Sequence, residues 1–114
     1  MGPRSLAANL PQDVLPQMRA LAETVWRLVR RDRSQTAVHL ISKVLGELDL
    51  TNPESAAQAK EQRAYLLNLR GVIHAQRSQN DESLSDLQAA HRELPAWPVP
   101  LYNLGLSYKQ YRRW

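Results

Sequence analysis

The sequence predicts an all-α domain of about five helices, arranged as antiparallel helix-turn-helix units, and three observations carry that expectation. Apolar residues recur at three- and four-residue spacing along most of the 114-residue chain. No segment alternates at period two for long enough to make a strand. Gly71 and Gly105 stand thirty-four residues apart in matching surroundings, Leu67-x-x-Arg70-Gly71-x-x-His74 and Leu101-x-x-Leu104-Gly105-x-x-Tyr108. That interval is the period of a repeated helix pair.

The first helix is expected to run to about Arg31. Val14, Met18, Leu21, Val25 and Leu28 line one face, with Trp26 and Val29 off the stripe. Pro16 sets its regular start, because the ring of a proline blocks the turn before it. The basic run Arg30-Arg31-Asp32-Arg33 suits the negative end of the helix dipole. Ser34 then reads as the N-cap of a second helix bearing Ala37, Leu40, Ile41, Val44, Leu45 and Leu48.

Thr51 and Glu54 read as a capping box for the third helix, with Pro53 just inside it, where a missing N–H costs nothing. Running to about Ser78, that helix would be ~37 Å long, about three turns more than a repeat needs. The extra turns, Glu54 to Arg63, are rich in Ala, Gln and charge, and are expected to project from the body or to lie against the first helix pair. Asn80-Asp81 caps a fourth helix with Leu84, Leu87, Ala90 and Leu94. Pro95, Pro98 and Pro100 punctuate the next turn, and the last helix starts near Val99.

These residues resemble the tetratricopeptide repeat (TPR), whose pattern reads Trp-x-x-Leu-Gly-x-x-Tyr, then Ala-x-x-x-Phe, then Pro. Residues 98–114 give the sharper copy: Leu104, Gly105 and Tyr108 are in place, Leu101 stands where Trp is usual, and the second helix is missing. Residues 64–97 give a full-length copy, with Leu67, Gly71, Leu87, Ala90 and Pro95 at signature positions. Arg70, His74 and Ser83 replace the usual Leu, Tyr and Ala. A degenerate copy spans about 18–50, with Val25 at the Gly position and Ala37-x-x-x-Ile41-x-x-Val44 in its second helix. Val25 to Gly71 is twelve residues longer than one repeat.

The resemblance implies a short right-handed superhelix over residues 12–114, as one domain or as a piece of a longer array, after a flexible segment at 1–11. It also implies a function, that of a non-enzymatic scaffold holding a partner peptide or helix in its concave groove, as adaptor, co-chaperone or assembly factor. Register assigns to the groove Arg19, Ala22, Trp26 and Arg30 from the first unit, and Tyr65, Asn68, Val72 and Gln76 from the second. From the last unit it assigns Val99, Tyr102, Leu106, Lys109 and Gln110. Such a face, aromatic and aliphatic with cations at its edges, suits a partner with apolar anchors and some acidic character. Some members of the family clamp the carboxylate of chaperone tails with Lys, Asn and Arg. The corresponding places here hold Ala22, Trp26, Leu69, Val99 and Asn103, so no chaperone-tail clamp is expected.

Two other function classes compete. Tyr102, Leu106, Tyr111 and Trp114 on an uncovered last helix suit a module that assembles with its own copies, and related helical arrays read RNA. Net charge is +4, but 15 Lys and Arg are spread among 11 acids, which argues against nucleic acid and for solubility or an acidic partner. Arg112-Arg113 beside Tyr108, Tyr111 and Trp114 reads as a solvated helix end rather than a base-stacking platform. No Cys and no signal-like apolar run point to a reducing cytoplasm, and no stretch is long enough to span a membrane. His39, His74 and His91 fall on three different helices, so a metal is not expected. No phosphate loop, nucleophile elbow or paired acid is readable, so neither a cofactor nor an enzymatic activity is expected.

Overall fold

The computed structural model describes residues 16–111, as five α-helices and no strand among the described residues. They are α1 (Pro16–Arg30), α2 (Ser34–Glu47), α3 (Ala56–Gln76), α4 (Asn80–Glu93) and α5 (Val99–Tyr111). The expectations for residues 1–11, Val14, Arg112, Arg113 and Trp114 lie outside the described residues, as do those for the side chains of Gln110 and Tyr111. The all-α class stands.

α1 and α2, and likewise α3 and α4, are joined by the same tight turn. Arg33 N–H donates to Leu28 C=O at 2.8 Å and Asp32 N–H to Val29 C=O at 3.0 Å. In the second hairpin Gln79 N–H donates to His74 C=O at 2.9 Å and Ser78 N–H to Ala75 C=O at 3.0 Å. These paired bonds close the ends of α1 and α3 in a Schellman motif. The residue at the left-handed position is Asp32 (φ 61°) in one and Ser78 (φ 60°) in the other, where glycine is the usual choice. The spacing from Val25 to Asp32 equals that from Gly71 to Ser78, so the two hairpins turn at the same distance after those positions.

Contacts between helices follow chain order. α1 meets α2 and α3, α2 meets α3, α3 meets α4 most extensively, and α5 packs on α4 and touches α3. Arg63 meets Glu93 and, further along, Arg70 meets Asp86, so α4 runs back along α3. Arg70 also reaches Ser42, and Arg77 reaches Gln35, so α2 runs antiparallel to α3 as well. The core gathers Met18, Ala22, Val25 and Trp26 of α1, Ala37 and Ile41 of α2, and Ala64 to Ile73 of α3, with Trp97 and Val99 closing one end.

Three details differ from the sequence expectation. Thr51 and Glu54 make no capping box: Thr51 Oγ1 and N–H both donate to Asp49 Oδ1, at 2.6 and 2.9 Å, and Glu54 N–H donates to Asn52 Oδ1 at 3.0 Å. These local turns hold residues 49–55 outside the helix, so α3 starts at Ala56 rather than Pro53. The Thr51 hydroxyl on the exposed Asp49 carboxylate also lowers its pKa. Ser34 and Asn80 are the first helical residues of α2 and α4, whose N-caps are Arg33 and Gln79 without side-chain caps. Of the two expectations for the extra turns of α3, projection from the body is the one that fails, because Ala59 is buried and Arg63 is ion-paired with Glu93 of α4.

Candidate partner-binding surface

The register-assigned groove divides into an open and a closed part. Trp26, Tyr65, Asn68, Ala22 and Val99 are buried, which corrects their assignment to an accessible floor. The reason is lateral packing: α1, α3 and α5 lie side by side closely enough that residues facing along the row touch the next helix instead of solvent. Tyr65 stacks obliquely on Trp97 with ring centroids 6.3 Å apart. Asn103 Nδ2 donates to Asn68 Oδ1 at 3.0 Å across α5 and α3, with both amides buried. The one clamp-type residue, Asn103, is thus engaged inside the protein.

Arg19, Arg30 and Gln76 are exposed, as are Tyr102, Leu106 and Lys109, and Val72 is half-buried against the core. Tyr102 and Leu106 lie one turn apart, 68% and 49% exposed, with Lys109 continuing that side of α5. Leu101 and Tyr108 add a second exposed strip at 50% and 47%. Apart from Leu50, the large exposed hydrophobics of the described residues all belong to α5. Exposed apolar side chains are thus concentrated on one helix among the described residues.

The signature residues show why the two glycine units differ. Leu67, Gly71, Leu87 and Ala90 are buried between α3 and α4, and a Cβ on Gly71 would stand 2.9 Å from the Leu87 side chain. Glycine there lets the two backbones approach. At Gly105 an added Cβ would meet nothing within 4 Å. Leu104 faces inward, while Leu101 and Tyr108 face out, and Pro95 lies exposed in the turn after α4.

A polar network fills the positions where Arg70 and His74 depart from the repeat pattern. Arg70 donates from Nε to Asp86 Oδ2 at 2.7 Å, from Nη2 to Asp86 Oδ1 at 2.8 Å and from Nη1 to Ser42 Oγ at 2.9 Å, tying α2, α3 and α4. Its hydrogen bonds to Asp86 raise the guanidinium pKa further. His74 Nδ1–H donates to Gln79 Oε1 at 2.7 Å, and its Nε2 lies 3.7 Å from Asp86 Oδ2. Every member of this set is held by another protein group, which suits a joint between helices. The sequence reading missed it, although Arg70, His74 and Asp86 are polar residues at positions that face one another across a hairpin.

Two smaller features complete the inventory. An open hollow of about 340 Å³, lined by Asp32, Arg33, Ser34, Gln35, Thr36 and Arg77, lies at the start of α2. Among the described residues no group of three or more His, Asp or Glu side chains is placed to hold a metal ion, and no helix is long and apolar enough to cross a membrane. Set against known proteins, the chain matches no family model, no curated protein and no solved structure.

Proposed function

We propose that this chain is a non-enzymatic, TPR-like scaffold that binds a partner protein's helix or extended peptide along the open side of α5, as an adaptor, co-chaperone or assembly factor. The observation that carries this reading is the exposed pair Tyr102 and Leu106, one turn apart on α5 beside Lys109. Tyrosine gives large contact area with few rotors to freeze, and a leucine one turn on supplies a second anchor. Lys109 at the edge favours an acidic residue in the partner. Two such anchors and an ion pair are consistent with micromolar affinity, about 8 kcal/mol.

The repeat architecture behind this reading rests on three features: the thirty-four-residue glycine spacing, the two Schellman turns in equivalent places and the sequential contacts of the five helices. In such a stack each helix pair positions the next, so α5 is held as an edge by α4 and by the Asn68–Asn103 bond. The polar hollow at the start of α2 lacks the apolar lining and convergent groups of a small-molecule site.

The test is co-purification from the native source with the wild-type chain, with Tyr102→Asp/Leu106→Asp, and with Lys60→Glu as an exposed control near the start of α3. The reading predicts a partner recovered by the wild type and the control and lost with the double variant, while circular dichroism shows unchanged helicity. The same partners on all three chains would overturn it. A recovered RNA whose binding falls steeply with salt would favour the nucleic-acid alternative instead.

A further inference from the structure

The two hairpin turns meet at one end of the molecule and bring arginines from both. Arg77, just past the end of α3, donates from Nη2 to Gln35 Oε1 at 3.4 Å at the start of α2. Arg77 and Arg33 line the same open hollow, and Arg30 and Arg31 stand in the turn that leads to Arg33. All four side chains are exposed. Elsewhere the chain satisfies its arginines: Arg63 pairs with Glu93, and Arg70 pairs with Asp86. Arg30, Arg31, Arg33 and Arg77 make no ion pair among the described residues, although Asp32 lies on the rim of the hollow and Asp81 and Glu82 open α4.

We propose that this end of the molecule docks an acidic segment of a partner protein, whose carboxylates bridge Arg33 and Arg77 across the hollow. Guanidinium groups suit that task, because their planar forks match a carboxylate with two parallel hydrogen bonds. Packed helices lie about 8–10 Å apart. In an extended segment, acids two or three residues apart span that distance, at about 3.3 Å per residue. Arg30 and Arg31 supply further attraction on the side of the α1–α2 turn.

The acids within the patch choose between peptide and nucleic acid. Asp32, Asp81 and Glu82 interrupt the basic surface, so a continuous phosphate backbone laid across it meets like charge. A peptide that spaces its carboxylates avoids them. None of these residues belongs to α5, so this surface and the Tyr102–Leu106 strip fail or succeed separately.

The probe is an end-capped, fluorescently labelled hexaglutamate peptide, titrated by anisotropy into the full chain at roughly 20 mM salt, where exposed charges are little screened. Saturable binding is expected, weakened at least about fivefold by Arg33→Glu/Arg77→Glu. Lys60→Glu/Arg92→Glu makes the same change of net charge at exposed positions near the Arg63–Glu93 pair, and should cost less than about twofold. Tyr102→Ala/Leu106→Ala should leave the affinity unchanged. Arg30→Glu/Arg31→Glu is a second reversal in the patch, expected to weaken binding in the same direction, and circular dichroism checks helicity throughout. Absence of saturable binding, or equal losses from the patch and control reversals, overturns the proposal. So does a hexauridylate that binds as tightly as the peptide, because the surface then reads phosphate.

Discussion

Arg70 grips both carboxylate oxygens of Asp86, from Nε to Oδ2 at 2.7 Å and from Nη2 to Oδ1 at 2.8 Å, and so locks α3 to α4 at the level of Gly71. Asp86 is nearly buried and Arg70 partly so, and a charge left alone in such a place is costly. Arg70→Leu or Asp86→Leu should each lower stability by about 3 kcal/mol. The Arg70→Leu/Asp86→Leu double variant should recover much of that loss, because no charge is stranded. Urea denaturation of the three variants checks this; additive single losses would show that the pair acts independently.

Tyr65 puts its hydroxyl in the core with no hydrogen-bond partner among the described residues, and burial raises its pKa well above the ordinary tyrosine value. Tyr65→Phe removes an unsatisfied polar group and should raise stability at neutral pH by about 1 kcal/mol. The sign with pH is set by the raised pKa. Its contribution is whole below the unfolded value near 10 and is lost as pH rises above it, since only the unfolded chain then ionises. Denaturation midpoints at pH 7 and 11 should therefore drop further for the wild type than for the phenylalanine variant.

Asp32 and Ser78 hold left-handed backbone that costs a side chain roughly 1 kcal/mol more than glycine. Asp32→Gly and Ser78→Gly should each raise stability by about 0.5–1 kcal/mol, read as a melting temperature a few degrees higher.

The two glycines should respond in opposite directions. Gly71→Val forces bulk against Leu87 and Asp86 and should cost about 2 kcal/mol. Gly105→Ala meets no atom and gains helix propensity, and should add about 0.5–1 kcal/mol. Thermal melts of the two variants decide it; equal losses would mean that Gly105 is also covered in solution.

The helices were legible in the sequence because Met18, Leu21, Val25 and Leu28 on α1, and Ala37, Ile41 and Val44 on α2, recur at helical spacing, and Met18, Val25, Ala37 and Ile41 end up buried. The start of α3 was not, because Asp49 and Asn52 captured the donors that a Thr51–Glu54 capping box would have used. The candidate surface was legible in part. Register gives the direction in which Trp26, Tyr65 and Asn68 point, but not how near the adjacent helix lies, and that distance decides between groove and core. For Tyr102 and Leu106 no further helix intervenes among the described residues, so direction and exposure agree. The Arg70–Asp86 joint shows the reverse: two departures from the repeat pattern, Arg70 and His74, meet at one carboxylate once α4 folds back on α3.

Whether another protein binds at α5 is tested most directly by titrating the co-purified partner into the wild-type chain, Tyr102→Asp and Lys60→Glu, and comparing the affinities by calorimetry. Tyr102→Asp should weaken binding at least about tenfold and Lys60→Glu should leave it unchanged. Equal affinity for all three chains would contradict an interaction surface on α5.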